Sequence, residues 1–229
     1  MFNDKRILAI IPAREGSKGI VNKNIIDLND KPLIAYSIEA AKESNYIDDV
    51  IVSTDGEEIK SVSLKYGAEV PFFRPKSLAT DNSKTIDSII YTINRLRNMG
   101  REYDILILLQ PTSPMRTVKH IDESLSLFFK NNQESLVSVN QIDISPILVR
   151  TIENGKLHSI LNQNSTVRRQ DMDFYYKING AIYINRIDEV DENLSFNDNA
   201  IPYIMDNTYS IDIDTIEDLQ LARQKLKSL

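Results

Sequence analysis

The chain has 229 residues, of which 41% are hydrophobic and 26% charged, and its 27 basic and 33 acidic residues give a net charge of −6. This length and composition fit one globular domain, residues 1–229, and no segment is apolar enough to span a membrane. The acidic balance argues against a nucleic-acid or membrane partner. A mixed-charge start without an apolar signal core, together with the absence of cysteine, favours a cytoplasmic protein.

The most informative segment is an apolar run at residues 7–11 that ends in a small, basic loop at residues 12–19. Gly16 and Gly19 allow the backbone to approach a ligand with its N–H groups. Three cations follow the strand, namely Arg14, Lys18 and Lys23. The loop has neither the P-loop spacing nor the G-x-G-x-x-G spacing, so it predicts a phosphate site of another kind. The alternative is an ordinary solvated connection between a strand and a helix.

Strands and helices alternate through the first 140 residues. After the first strand, apolar runs predict strands at 49–55, 103–109 and 136–139, and helical spacing predicts helices after Pro32 and at 59–66, 85–97 and 121–128. This alternation predicts right-handed β-α-β crossovers and a mostly parallel sheet, with ligands beyond the carboxyl ends of its strands. We therefore expect Arg14, Asp55 and Gln110 at that edge.

The pattern changes after about residue 140. Two apolar strands, residues 147–152 and 157–161, flank a Glu-Asn-Gly-Lys turn and predict a β-hairpin. The hairpin belongs to a segment of about 143–177 that is too short for a core of its own, so we expect an arm that a second copy of the chain covers. Beyond the arm we predict a returning strand at 175–184, a strand at 209–214 and a final helix capped by Thr215.

Two carboxylates near the end of the chain form a candidate metal site. Asp212 and Asp214 are two residues apart on an extended segment, so both point to one face while Ile211 and Ile213 point to the other. Mg²⁺ commonly takes one or two carboxylates, with phosphate oxygens and water completing its coordination. The pattern is equally compatible with negative charge placed before a helix N-terminus.

Two further groups are candidates for substrate recognition. Gln110 and Thr112 lie in a loop between two prolines, which suits hydrogen bonding to a polyol. The cations around Asn179-Gly180 suit a carboxylate substrate, and they are Arg168, Arg169 and Lys177. Each group is also compatible with a plain connection or with surface ion pairs. We interpret His120 and His158, which have no partner spacing, as structural or surface residues.

Five segments carry the chain's likeness to a known family. They are the loop from Ile11-Pro12-Ala13-Arg14 to Lys23-Asn24, Leu78-Ala79-Thr80-Asp81, Leu109-Gln110-Pro111-Thr112-Ser113-Pro114, Asn179-Gly180-Ala181-Ile182-Tyr183 and Ile211-Asp212-Ile213-Asp214-Thr215. In this order they resemble the motifs of the acylneuraminate cytidylyltransferases, the CMP-sialic acid synthetases and their legionaminic and pseudaminic acid relatives. The resemblance covers nearly the whole chain. It implies a three-layer α/β/α, Rossmann-like nucleotidyltransferase domain with a mostly parallel sheet and a projecting antiparallel dimerisation arm.

The resemblance also implies roles for individual residues. Those implied to bind CTP are Ala13, Arg14, Lys23 and Asn24 in the first loop, with Arg14 and Lys23 on the phosphates, and Ala79, Thr80 and Ser83 at the cytosine and ribose. Those implied to bind the sugar are Gln110, Thr112, Lys177, Asn179 and Tyr183, with Arg169 reaching the sugar carboxylate across a dimer interface. Asp212 and Asp214 would hold Mg²⁺. Sialic-acid enzymes often carry arginine where this chain has Lys177, which keeps the charge but loses the bidentate fork.

The sequence thus predicts a homodimeric, Mg²⁺-dependent enzyme that transfers CMP from CTP to the anomeric hydroxyl of a nine-carbon 2-keto sugar acid, an activation step for cell-surface polysaccharides. Arg14 and Lys23 would stabilise charge on the phosphates, and Asp214, directly or through water, would assist deprotonation. N-acylneuraminate is the predicted acceptor, and legionaminic or pseudaminic acid is the near rival. The rival functions are a metal-dependent glycosyltransferase and a noncatalytic nucleotide-binding module. The aspartate pair lies near the end of the chain and the first loop is strongly basic, and both features argue against the glycosyltransferase.

Overall fold

The computed structural model describes residues 4–17, 19–162, 166 and 173–228. Within these ranges the strands are β1 (Ile7–Pro12), β2 (Asp49–Ser53), β3 (Ile105–Leu109), β4 (Leu136–Ile142), β5 (Arg150–Glu153), β6 (Lys156–Ser159), β7 (Tyr175–Arg186) and β8 (Ile201–Ile204). The helices are α1 (Leu33–Glu43), α2 (Glu57–Lys65), α3 (Thr85–Asn98), α4 (Val118–Lys130) and α5 (Ile216–Leu226). In this described part of the chain, every helix is too short or too polar to cross a lipid bilayer.

Six strands form one sheet in the order β2-β1-β3-β7-β4-β8. Within it, β1 pairs in parallel with both β2 and β3, whereas β7 runs antiparallel to β3 and β4. The mostly parallel sheet is confirmed, with β7 as its antiparallel member. The chain moves from β1 to β2 on one side and later returns to β3 on the other, so the strand order reverses at β1. Such a switch point leaves a crevice at the carboxyl ends of the strands.

Helices cover both faces of the sheet, which gives the predicted three layers. On one face of β1, Ile7, Ala9 and Ile11 are fully buried in the cluster that contains the apolar residues of α1, α2 and α4. On the other face, Leu8 and Ile10 are buried in the cluster formed with α3. A central strand that is covered on both faces must be apolar at consecutive positions, which explains why the 7–11 run does not alternate with polar residues.

The predicted strand at 209–214 is wrong. Asn207–Tyr209 forms a short 3-10 turn, and residues 211–214 belong to no helix or strand. The N–H of Ile213 donates to the carbonyl of Thr112 (2.8 Å), in the loop after β3. The segment therefore lies beyond the carboxyl end of β3 rather than beside a strand. Its alternation is nevertheless as expected, because Ile211 and Ile213 are buried while the two aspartates between and after them are exposed.

The predicted hairpin is confirmed as β5 and β6, which pair antiparallel. Asn154 and Gly155 have positive φ angles of 51° and 74°, as the two central residues of a type I′ turn require. The hairpin is exposed, and Ile152 and Leu157 leave 75% and 70% of their surface open. These two strands therefore bury little of their own apolar surface within one chain.

Helix α4 begins with a capping box that contains a histidine. The side chain of Thr117 accepts the backbone N–H of His120, and Nδ1 of His120 accepts the backbone N–H of Thr117 (3.1 Å). A ring nitrogen can accept this hydrogen bond only when it carries no proton. Burial lowers the pKa of His120, Arg116 and Lys119 add to this effect, and Glu123 opposes it. The folded chain therefore favours the neutral imidazole.

We predict that protonation of His120 destabilises the folded chain. The unfolded state takes up the proton below about pH 6.5, whereas the folded state resists it, so the free energy of unfolding falls as the pH decreases from that value towards the lowered folded pKa. His120→Gln keeps an acceptor at this position without titrating, and urea unfolding at pH 7.5 and 5.5 should show a smaller loss in this variant than in the wild type. His158→Gln, which changes an exposed histidine, is the control. Equal losses in the wild type and both variants contradict the assignment.

Candidate active site

A polar cleft of about 380 Å³ opens at the carboxyl ends of β1 and β3, where the strand order reverses. Its walls come from four segments: the loop after β1, the loop before α3, the loop after β3 and the segment before α5. Their lining residues include Arg14, Gly19, Lys23, Asn24, Arg74, Thr80, Asp81, Ser83, Gln110, Thr112 and Asp214. Most of the residues predicted from sequence to bind a nucleotide therefore meet in one cavity.

The first loop is fixed at both ends, which points Arg14 into the cleft. The N–H of Ala13 extends the pairing of β1 by donating to the carbonyl of Ser53 (3.0 Å). The buried side chain of Asn24 donates to the carbonyl of Arg14 (2.9 Å). Arg14 then forms an ion pair with Asp81 (2.8 Å), which lies in the loop before α3. Ala13 and Asn24 thus hold the backbone, and Arg14 faces the ligand space.

Lys23 joins this first loop to the segment before α5. Its Nζ donates to Oδ1 of Asp214 (2.8 Å) and to the carbonyl of Ile213 (3.0 Å). Gly19 makes an equally close approach, because a Cβ atom there would lie 2.5 Å from the carbonyl oxygen of Asp214. The glycine in the loop is thus required by the packing of the backbone of Asp214 against it. Lys18 lies outside the described residues.

Asp212 and Asp214 place two neighbouring carboxylates at the site. Asp214 lines the cleft, and the side chain of Thr112 lies near the carboxylate of Asp212. Desolvation by the surrounding protein raises the pKa of Asp212, the nearby side chain of Thr112 opposes this, and the charge of Asp214 adds to it. The described residues contain no cluster of three or more His, Asp or Glu side chains suited to a metal. Two carboxylates beside a polar cleft fit Mg²⁺ that completes its coordination on phosphate and water.

The loop before α3 is organised by two hydroxyl groups. Oγ of Ser83 donates to the carbonyl of Ser77 (2.9 Å) and accepts the N–H of Thr80 (3.1 Å), and the Thr80 and Ser83 hydroxyls lie 2.7 Å apart. Thr80 and Ser83 line the cleft, and Ala79 lies half-buried beside them. The loop thus presents backbone and hydroxyl groups of the kind that bind a base and a ribose.

Arg74 is a cleft residue that the sequence did not predict. Its side chain is buried, its Nη2 lies 4.0 Å from Asp55, and its Nε has no partner among the described residues. Burial lowers the pKa of Arg74, Asp55 opposes this, and the charge of Arg14 adds to it. The available signal was an arginine at the end of a short apolar segment, directly before Pro75. That pattern also fits a surface arginine, so only the tertiary structure identifies it.

The residues predicted to face the sugar lie at different depths. Gln110 and Thr112 line the cleft. Asn179 is buried, and its amide donates to Oγ of Ser210 (3.1 Å) and accepts from Oγ of Ser138 (2.6 Å). On the same returning strand, Tyr183 is buried and Lys177 is exposed. Burial raises the pKa of Tyr183, and the charge of Asp212 adds to this effect. Arg168 and Arg169 lie outside the described residues.

Known proteins resemble this chain over nearly its whole length. It is 37% identical to the CMP-N,N'-diacetyllegionaminic acid synthase of Legionella pneumophila, over 97% of each chain. It is 36% identical to the N-acylneuraminate cytidylyltransferase of Escherichia coli, over 95% of this chain and 51% of that relative, so it spans about half of the longer protein.

The fold also has solved counterparts. The structure of CMP:2-keto-3-deoxy-manno-octonic acid synthetase complexed with CTP matches with a TM-score of 0.74 at 18% identity, over 97% of this chain and 99% of that one. At 18% identity, this match shows only that the two chains share a fold. A family model described as Cytidylyltransferase covers residues 8–227. With this model and relatives above 30% identity over almost its whole length, the chain belongs to the cytidylyltransferase family.

Proposed function

We propose that this cytidylyltransferase transfers CMP from CTP to the anomeric hydroxyl of a nine-carbon 2-keto sugar acid and releases pyrophosphate. The observation that carries the proposal is the contact of Lys23 with Asp214 in the cleft, because it joins a cation suited to phosphate and a carboxylate suited to a metal. The relatives named for N,N'-diacetyllegionaminic acid and for N-acylneuraminate support this class of acceptor.

Neutralisation of phosphate charge is the main chemical task of the site. Negative charge grows on the oxygens of the departing pyrophosphate, and fixed cations stabilise it most when water is excluded. Arg14 and Lys23 would supply this charge from the first loop, and buried Arg74 would supply it without having to be ordered on binding. Asp212 and Asp214 would hold Mg²⁺, which when bound neutralises further triphosphate charge.

The acceptor needs an oriented hydroxyl and a place for its proton. Gln110 and Thr112 would position the sugar on the wall of the cleft, and Asn179 and Tyr183 would face the same sugar. Placement of the sugar hydroxyl in line with the departing pyrophosphate would lower the barrier. Asp214 would assist deprotonation of the anomeric hydroxyl. Lys177 and a second copy's arginine at position 169 would bind the sugar carboxylate.

Measurement of pyrophosphate release tests the reaction and its acceptor together. The chain is incubated with CTP, Mg²⁺ and, in separate reactions, N-acetylneuraminate, N,N'-diacetyllegionaminate and pseudaminate. We expect release that requires both CTP and one of these acids. The 37% identity to the legionaminic acid enzyme and the presence of Lys177 favour a test of legionaminate beside N-acetylneuraminate. CTP binding without turnover on any acid contradicts the proposal in favour of a nucleotide-binding module, and consumption of a nucleotide sugar contradicts it in favour of a glycosyltransferase.

We predict that Asp212→Asn and Asp214→Asn each lower kcat by about 100-fold, because a bound metal contributes several kcal/mol of charge stabilisation. Each substitution keeps the shape of the side chain, so the thermal unfolding temperature should change little. Raised Mg²⁺ should restore part of the loss. Glu217→Gln removes a neighbouring negative charge in the first turn of α5 and serves as the control with unchanged Mg²⁺ dependence. Near wild-type activity of both aspartate variants at limiting Mg²⁺ contradicts the metal assignment.

We also propose that the chain acts in the cytoplasm as a homodimer whose arms complete each other's sites. The support is the exposure of apolar side chains on the arm, with Ile152 and Leu157 at 75% and 70%. An apolar surface of this kind is usually covered in a stable assembly. Strand β7 links the arm to the cleft, because residues 175–178 continue from the arm and are mostly exposed while residues 181–185 are buried in the sheet. A second copy seated on the arm would therefore lie near the acceptor.

We predict that two inactive variants complement each other. In a mixture of an Arg169→Ala chain and an Asp214→Asn chain, one of the two sites of each heterodimer contains neither lesion. Random exchange of subunits should then restore about a quarter of wild-type activity. Each variant alone, treated identically, gives the baseline. If heterodimers form, as native mass spectrometry can establish, and activity stays at that baseline, Arg169 acts within its own chain or not at all.

A further inference from the structure

Arg116 is a buried arginine outside the cleft lining. Only 2% of its surface is exposed, and among the described residues it forms no ion pair with a carboxylate. Its Nη1 donates to the carbonyls of Gln110 (3.2 Å) and Ala181 (3.1 Å), whereas Nε and Nη2 have no partner there. Burial lowers the pKa of Arg116 to about 9. A buried cation without a carboxylate is unfavourable for stability, so its presence calls for another reason.

The two carbonyls that Arg116 binds lie at a definite place in the sheet. Strands β3 and β7 pair antiparallel, and the last pair at this end is Leu109 with Ile182. The next pair in the same register would be Gln110 with Ala181. The chain leaves the sheet at Gln110 to form the cleft wall, and Arg116 holds the carbonyls of both residues where the ladder ends. One side chain thus bridges the two strands at the point where their backbone pairing stops.

The loop held in this way positions the acidic side of the cleft. Within the loop, the carbonyl of Thr112 accepts from the N–H of Ile213 (2.8 Å), the residue between the two aspartates. The carbonyl of Ile213 in turn accepts from Lys23. On the β7 side, Gly180 precedes Ala181, and a Cβ at Gly180 would lie 3.7 Å from Oδ2 of Asp212. Both strands that Arg116 joins therefore continue into residues that contact Asp212 or its neighbours.

We infer that Arg116 is a positioning residue for the two carboxylates. By tying Gln110 to Ala181 it fixes the loop that carries Thr112, and through Thr112 it fixes the distance of Asp212 and Asp214 from Lys23. It touches neither nucleotide nor acceptor. This inference rests on the proposed function for its effect on turnover, but its effect on the backbone can be measured without any substrate.

Three variants separate positioning from stability. Arg116→Met fills most of the volume without donors, and Arg116→Lys keeps the charge and one donating group but not the fork. Asn199→Leu is the matched control, because buried Asn199 also donates to a strand carbonyl, that of Leu136 (2.7 Å), and to Oδ1 of Asn185 (2.9 Å), near the opposite end of β7. Both the Met and the Leu variant remove a buried hydrogen-bonding link between strands.

The first readout needs no substrate. Hydrogen exchange of the Ile213 amide should be faster in Arg116→Met and unchanged in Asn199→Leu, since only the former frees the loop that accepts this N–H. The second readout is binding of CTP by calorimetry, where the gain in affinity on adding Mg²⁺ should shrink in Arg116→Met. The third is turnover, where kcat should fall by about 100-fold, as a small misplacement of a reacting group allows, while KM for CTP changes less. Arg116→Lys should lie between Met and wild type.

Each outcome supports or overturns the inference. The inference is overturned if hydrogen exchange of the Ile213 amide is unchanged in Arg116→Met. It is also overturned if the losses of activity in Arg116→Met and Asn199→Leu are both proportional to their losses of stability. If Arg116→Met does not fold, Arg116→Lys decides by the same three measurements. A wild-type chain that binds Mg²⁺ and CTP but never releases pyrophosphate overturns the proposed function and leaves the exchange and binding results for Arg116 standing.

Discussion

The contact between the first loop and the segment before α5 is the interaction on which the site depends. Lys23 and Asp214 are 191 residues apart in sequence, yet Nζ of Lys23 lies 2.8 Å from the carboxylate. Gly19 approaches the backbone of Asp214 so closely that no side chain fits between them. The packing of Gly19 against the backbone of Asp214 and the hydrogen bond from Lys23 to the carbonyl of Ile213 thus link the shape of the loop to the position of the carboxylates.

Arg14 and Lys23 of the first loop are both neutralised by carboxylates in the cleft. Arg14 pairs with Asp81, and Lys23 pairs with Asp214. These pairs are partly open to solvent, so each contributes little to stability, and in the proposed reaction a triphosphate would replace the carboxylates at small cost. Arg74 differs, because its side chain is buried and lies 4.0 Å from Asp55. The proposed site therefore combines one buried cation with two that would exchange a carboxylate for phosphate.

The fold followed from the sequence more closely than the site did. The β1 run, the amphipathic face of α3 and the Asn154-Gly155 turn each follow from local rules of burial, helical spacing and turn geometry. Asp212 and Asp214 were recognisable because alternation on an extended segment is also local. The predicted strand there failed because sheet pairing depends on where the segment lies, which is beyond β3 rather than beside a strand.

Arg74 and Arg116 were not predictable, because nothing near an arginine in sequence fixes whether its side chain is buried, and exposure is the usual outcome. Arg116 is buried because the loop after β3 folds back over the end of the β3–β7 ladder, and Arg74 because its segment runs beside β2.

Strand β7 extends the same dependence to the arm. Its second half is buried between β3 and β4, whereas its first half pairs with β4 alone and leaves Tyr176, Lys177 and Ile178 exposed. A second copy seated on the arm, as proposed, would therefore act on the strand that also carries Lys177 and Gly180, the latter beside Asp212. The proposed assembly and acceptor binding would then depend on one strand, and Arg116, which holds that strand at Ala181, lies between its exposed first half and its buried second half.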